Sequence, residues 1–237
     1  MAHHRAVSDQ PSGQVSDPLS SQVSDPDPTP GPWTMVAVSE VASRVRGVAE
    51  AAHRPIIVAV DGRSGAGKST AAGELALELD GAPVIHTDDV AWHHSFFDWW
   101  PLMREHLLEP LRAGHDVTWR PPGWAARDRP GRIEVPSSPF VLVEGVSASR
   151  RELSDLLDVA IWIDGDVRIQ ERRGVMRDGG DDAAQRFWDE WQAAERPLLV
   201  ADRPWRRADL LVLGTPDMPR TTGCWWARWG PGGRLGG

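Results

Sequence analysis

The chain has 237 residues, a net charge of −8 and one cysteine, which excludes an intrachain disulfide and a cysteine-rich zinc site and argues against a nucleic-acid backbone as main partner. No run approaches the ~18 consecutive apolar residues of a membrane span, and the first residues lack an apolar signal core. The expectation is a soluble cytoplasmic protein that binds neither nucleic acid nor membrane and takes a small-molecule partner.

Residues 1–34 are rich in Ser, Asp, Pro and Gln and repeat Gln-Val-Ser-Asp-Pro at 14–18 and 22–26. Such a segment has little to bury and is expected to be a disordered N-terminal extension. One domain is expected over 35–214, with Met35 opening a helical stretch. Residues 215–237 read as a flexible Gly/Pro/Trp-rich tail, whose Trp225, Trp226 and Trp229 are incidental aromatics or dock on a partner or on the domain.

Pro55–Asp61 (PIIVAVD) is a short β-branched run suited to a buried parallel strand, and Ser69–Leu79 has helical spacing. Between them stands Gly62-Arg63-Ser64-Gly65-Ala66-Gly67-Lys68-Ser69, a full match to the phosphate-binding pattern G-x-x-x-x-G-K-[ST]. Lys68 is the only lysine in the chain; its compact ammonium suits a nucleotide's phosphates where a planar guanidinium fits badly. The residues expected to hold a nucleoside triphosphate are therefore Gly62, Ser64, Gly65, Ala66, Gly67, Lys68, Ser69 and Thr70. Backbone N–H groups and the helix start cradle the phosphates, and the Ser69 hydroxyl sits where Mg²⁺ would bind.

Pro83–Asp88 (PVIHTD) can return as a second strand. Paired in parallel through a right-handed crossover, it brings Asp88 to the carboxyl edge of the sheet, as a candidate base for an acceptor hydroxyl. Asp89 competes for that role, and one of the two caps the next segment. His93 and His94 point in different directions and have no nearby cysteine, which speaks against a zinc site. Phe140–Glu144 (FVLVE) is a third strand ending in an acid, so Ser69, Asp88 and Glu144 are the candidate metal ligands, with a helix-capping role as the alternative for Glu144. Val159–Asp164 adds another core strand. Arginines then cluster at Arg168, Arg172, Arg173 and Arg177. On a helix, Arg173 and Arg177 share a face and could stabilise a transferring phosphoryl group; a solvated helix of Arg–Asp pairs is the alternative.

The chain resembles the uridine kinase family and its nicotinamide riboside, pantothenate and phosphoribulokinase-type relatives over roughly 55–213. The likeness rests on GRSGAGKST, on Thr87-Asp88-Asp89, on Val143-Glu144-Gly145, on Arg172–Asp178 (RRGVMRD) and on Ala208–Val212 (ADLLV). It implies a three-layer α/β P-loop fold with a mainly parallel five-stranded sheet and a short arginine-rich lid. It also implies ATP and Mg²⁺, catalytic roles for Lys68, Asp88, Arg173 and Arg177, and transfer to a hydroxyl acceptor, a nucleoside above all. At the acceptor the chain departs from the family: it has Val90-Ala91-Trp92 after the aspartates, and Trp119–Trp124 and Arg127 where a base-reading histidine would stand. Asp88, Trp92, Trp119, Trp124 and Arg127 are the candidate acceptor residues, as an aromatic pocket for a ring or an arginine site for an anionic acceptor, with ordinary packing as the alternative for the tryptophans. An ATP-binding sensor on a kinase fold is the competing function. The chain has no asparagine, so a guanine-reading Asn-Lys-x-Asp box is absent.

Overall fold

The computed structural model describes residues 32–216, 219 and 221–236; the expected disorder of the N-terminal extension falls almost wholly outside them. Strand β1 (Thr34–Ala37) leads into helix α1 (Val38–Ala52), where a helix from Met35 onward was expected. Val38, Val41, Ala42 and Val45 recur at helical spacing and are the buried stripe of α1. Strand β2 (Ile56–Gly62) is buried along its whole length, as its continuous apolar run predicts, and the glycine-rich turn leads into α2 (Lys68–Glu78).

Strand β3 (Val84–His86) runs directly into the short helix α3 (Thr87–Ala91). A helical stretch follows as α4 (Trp100–Met103), a π-helical turn (Arg104–Leu108) and α5 (Glu109–Arg112). A small antiparallel pair, β4 (Val117–Trp119) and β5 (Ile133–Val135), brackets α6 (Pro122–Ala126). Then come β6 (Phe140–Glu144), β7 (Val159–Asp164), the helices α7 (Val167–Arg177) and α8 (Asp182–Asp202), β8 (Leu210–Leu213) and β9 (Cys224–Trp229).

The main sheet has the order β1-β9-β8-β7-β2-β6-β3. The strands β8, β7, β2, β6 and β3 are mutually parallel, which is the expected five-stranded unit. Two antiparallel strands extend it to seven, β9 against β8 and β1 against β9. The first of them, β9, comes from a flank whose composition argued against structure, and β1 from the stretch at Met35 that was expected to be helical. Residues 224–229, expected in a flexible tail, form a strand, and the chain beyond them is anchored: Gly230 N–H donates to Asp209 O at 2.8 Å and Arg234 N–H to Asp209 Oδ1 at 2.8 Å.

The alternating faces of the strands build a three-layer domain. One face packs Val58, Val60, Leu142 and Ile161 against α1 and α2. The other packs Ile57, Ala59, Val141 and Val143 against Trp99, Met103, Leu107 and Leu111, with Trp162 and Leu211 meeting Leu199 and Trp205 beside them. Among the described residues no helix is long and apolar enough to cross a membrane.

Candidate active site

The turn after β2 is built by residues that stand far apart in sequence. Asp61, fully buried at the strand end, accepts N–H bonds from Gly62 (2.7 Å), Ser147 (2.9 Å) and Ser149 (2.9 Å) and the Ser149 hydroxyl (2.7 Å). Burial pushes its carboxyl up, and those bonds and Lys68 oppose the rise. The turn is thereby tied to the loop that leaves β6. Gly65 has φ 76°, and a Cβ there would lie 2.2 Å from the Gln170 carbonyl oxygen, so only glycine fits beneath α7. Lys68, buried as the first residue of α2, donates its ammonium to Arg63 O at 3.0 Å.

Arg63 and the Ser64 N–H are held from a third direction. Glu195 of α8, 0% exposed, accepts from Arg63 Nε at 3.1 Å and from Ser64 N at 3.3 Å, and Gln192 accepts from the other end of the guanidinium. The buried charges are paired, as burial demands. These partners are more than 120 residues away in sequence, and nothing local in the sequence pairs them.

Parallel pairing sets His86 opposite Glu144, so both carboxyl ends open onto the edge that holds the glycine-rich turn. His86 Nδ1 lies 2.7 Å from Glu144 Oε2. Burial alone would raise the Glu144 carboxyl, but the His86 hydrogen bond, the Lys68 charge and the Ser69 hydroxyl hold it below its ordinary value. The imidazole is raised in return, chiefly by the same hydrogen bond. His86 was not among the residues expected at the site; its signal was its place two residues before Asp88.

The two aspartates of α3 part company. Asp89 is bonded to Arg129 at 2.9 Å, and its carbonyl accepts the Trp124 indole N–H at 2.8 Å. Asp88 faces the cleft above Lys68. Burial pushes its carboxyl up from the ordinary value and Glu144 adds to the rise, while Lys68, Arg177 and His86 pull it down.

A cleft of ≈1090 Å³ joins these groups; Ser64, Gly65, Gly67, Lys68, Ser69 and Thr70 line its floor together with Asp88 and Glu144. Gly62 and Ala66 lie buried beneath it. Arg173 and Arg177 line it from α7, as their shared helix face predicts; Arg173 also donates to Gly214 O at 3.3 Å, and Arg177 pairs with Asp178 at 2.9 Å. Arg168 and Arg172 stand outside it.

Beyond Asp88 the cleft wall is aromatic. Trp92 belongs to it as expected, joined by Phe96, Phe187, Trp188 and Trp191. The rings interlock, with Phe96 5.1 Å from Trp191 and 6.1 Å from Phe187 between centroids. Three expected acceptor residues are elsewhere. Trp124 is buried, with Arg129 stacked 3.6 Å over its ring, so it supports the wall from behind. Trp119 stacks on His106 at 4.7 Å in the small sheet, and Arg127 is the exposed C-cap of α6. The family resemblance put these three at the acceptor, but the excursion through β4, α6 and β5 carries them away from the cleft.

All three candidate metal ligands carry oxygen donors, Ser69 by its hydroxyl and Asp88 and Glu144 by carboxylates, the set preferred by a hard divalent cation. Among the described residues no group of three or more His, Cys, Asp or Glu could hold a metal unaided. Such a set fits an ion that is completed by a ligand's phosphates.

Comparison with known proteins gives a consistent picture. The chain is 28% identical to a uridine kinase of Clostridium novyi (strain NT) over 145 residues, covering 53% of this chain and 69% of that protein. It is 26% identical to a uridine kinase of Clostridium tetani (strain Massachusetts / E88) over 145 residues, covering 53% and 68%. Among solved structures, a "putative fructose transport system kinase" from Silicibacter sp. TM1040 superposes with a TM-score of 0.53 at 21% identity, covering 70% of this chain and 95% of the other, a likeness of fold. No family model matches the chain.

Proposed function

We propose that the chain, which is similar to uridine kinases, transfers the γ-phosphoryl group of ATP to a hydroxyl of a small neutral acceptor carrying a planar ring, a nucleoside above all. The observation that carries this reading is the position of Asp88. Its carboxylate lies in the cleft between the phosphate-binding turn, with Lys68, and the aromatic wall of Trp92, Phe96, Phe187 and Trp191. A ring against that wall would present its hydroxyl to Asp88, and a triphosphate in the turn would present its terminal phosphorus from the other side.

In the proposed step the acceptor oxygen attacks the γ-phosphorus, the bond from that phosphorus to the β–γ bridging oxygen breaks, ADP leaves, and the acceptor proton passes to Asp88. A carboxylate whose proton affinity burial has raised suits that task better than an exposed one. Lys68, Arg173 and Arg177 offset the charge that spreads over the phosphoryl oxygens. Ser69 and Glu144 would hold Mg²⁺, which when bound neutralises phosphate charge. Phe187 supports the ring-bearing acceptor: it is 46% exposed in the cleft, an apolar surface for a ligand to cover.

Incubating the protein with Mg·ATP and a panel of nucleosides, pantothenate, nicotinamide riboside and small sugars, while following ADP release, tests the reading. We expect release stimulated by a nucleoside and lost in Asp88→Asn. Stimulation by anionic acceptors alone would contradict the ring-bearing class, and ATP binding with no stimulation would favour a sensor.

A further inference from the structure

The strand β9 takes no part in the proposed transfer, yet its first residues line the cleft. Because β9 runs antiparallel to β8, its amino end lies at the carboxyl edge of the parallel strands. There Cys224, Trp225 and Trp226 join Leu213 and Gly214 in the cleft wall. Gly214 in turn abuts the phosphate-binding turn: a Cβ on it would lie 1.9 Å from the Ala66 carbonyl oxygen.

The strand order then separates the two ends of the cleft. The turn leaves β2; on one side of β2 lie β6 and β3, with Glu144 and Asp88, and on the other lie β7, β8 and β9. A triphosphate in the turn with its terminal phosphorus toward Asp88 must direct its nucleoside toward β8 and β9. That end is lined by apolar and aromatic side chains, Val212, Leu213, Pro216 and the two tryptophans among them. Trp225 is 3% exposed and donates its indole N–H to Glu74 Oε2 at 2.6 Å, which fixes the strand end to α2, the helix that begins with Lys68. Trp226 is half-buried, and its indole N–H donates to Pro219 O at 3.1 Å, so the apolar ring surface is what it offers to the cleft.

We propose that Trp226 is a base-stacking residue for the bound nucleotide, carried on a strand whose position Trp225 fixes. An aromatic plane is a suitable partner for any nucleobase, since every base has a π face. The assignment rests on the reading that a nucleoside triphosphate occupies the turn.

Calorimetric titration with Mg·ATP and with inorganic tripolyphosphate, which has the phosphates but no base, tests it in wild type, Trp226→Ala and Trp226→Phe. We expect Trp226→Ala to bind Mg·ATP about tenfold more weakly, with tripolyphosphate binding unchanged and Trp226→Phe close to wild type. Unchanged Mg·ATP affinity in Trp226→Ala would overturn the assignment, and so would a parallel loss of tripolyphosphate, which would mean damage to the turn. Wild type that binds tripolyphosphate as tightly as Mg·ATP would also overturn it while leaving the phosphate site intact. Wild type that binds neither would remove the triphosphate reading and this inference with it.

Discussion

Asp88 is disfavoured as an anion by burial and by Glu144, and favoured by Lys68, Arg177 and His86, with burial the largest influence. A carboxyl with a higher pKa folded than unfolded binds its proton more tightly in the native state. Its contribution to stability therefore falls as pH rises through that interval and is a constant cost above it. Asp88→Asn removes that cost, so at pH 7 we expect a Tm equal to or above wild type, unchanged ATP affinity and transfer reduced about 100-fold or more. A lower Tm would show that the carboxylate is structurally required. On the acid side kcat/KM should decline as Asp88 takes up its proton. Glu144 has the opposite sign: its lowered pKa contributes stability above the unfolded carboxylate value, lost as pH falls through the folded one. Removing the hydrogen bond in His86→Ala should raise the midpoint pH of acid unfolding, and an unmoved midpoint would deny the pair that role. Lys68→Ala should raise the transfer barrier by about 3 kcal/mol, and a near-normal rate would sink the electrostatic role given to this lysine.

The helices α7 and α8 act together as a frame for the cleft. Gly174 of α7 has no side chain because Trp188 of α8 occupies its place: a Cβ there would lie 2.1 Å from the Trp188 ring. We expect Gly174→Val to destabilise the protein by about 1–3 kcal/mol, seen in thermal melts, and to disturb both the arginine face and the aromatic wall. The frame is joined to the phosphate-binding turn through Arg63 and Glu195. Arg63→Ala would leave the fully buried Glu195 without its charge partner, which costs about 3–5 kcal/mol, measurable by urea denaturation. A loss under about 1 kcal/mol would place the pair with weakly contributing surface bridges instead.

At the scale of the whole molecule, the parts legible in the sequence were those whose signal is local. The buried strands β2, β6 and β7 read as apolar runs, the turn as a spaced motif, and Glu144 as an acid at a strand end; Asp88, expected at the end of the second strand, lies just past it in the first turn of α3. Right-handed crossover then placed those ends on one edge. The unread parts depend on long-range pairing. Strand β9 lies in a stretch whose glycines and prolines argue for a tail, and only its partners β1 and β8 make it a strand. Glu195 looks like any helix acid until α8 docks on the turn. Trp92 and Trp124 read alike as candidate acceptor aromatics, yet one lines the cleft and the other lies buried behind it. In the proposed function this frame brings a phosphoryl donor and a hydroxyl acceptor together across Asp88. The direct measurement follows the label from γ-³²P ATP in the presence of Mg²⁺ and the acceptor that best stimulates ADP release. We expect label covalently attached to the acceptor and absent from it in Asp88→Asn; label recovered only as inorganic phosphate, or unchanged transfer in that variant, would rule out transfer across Asp88.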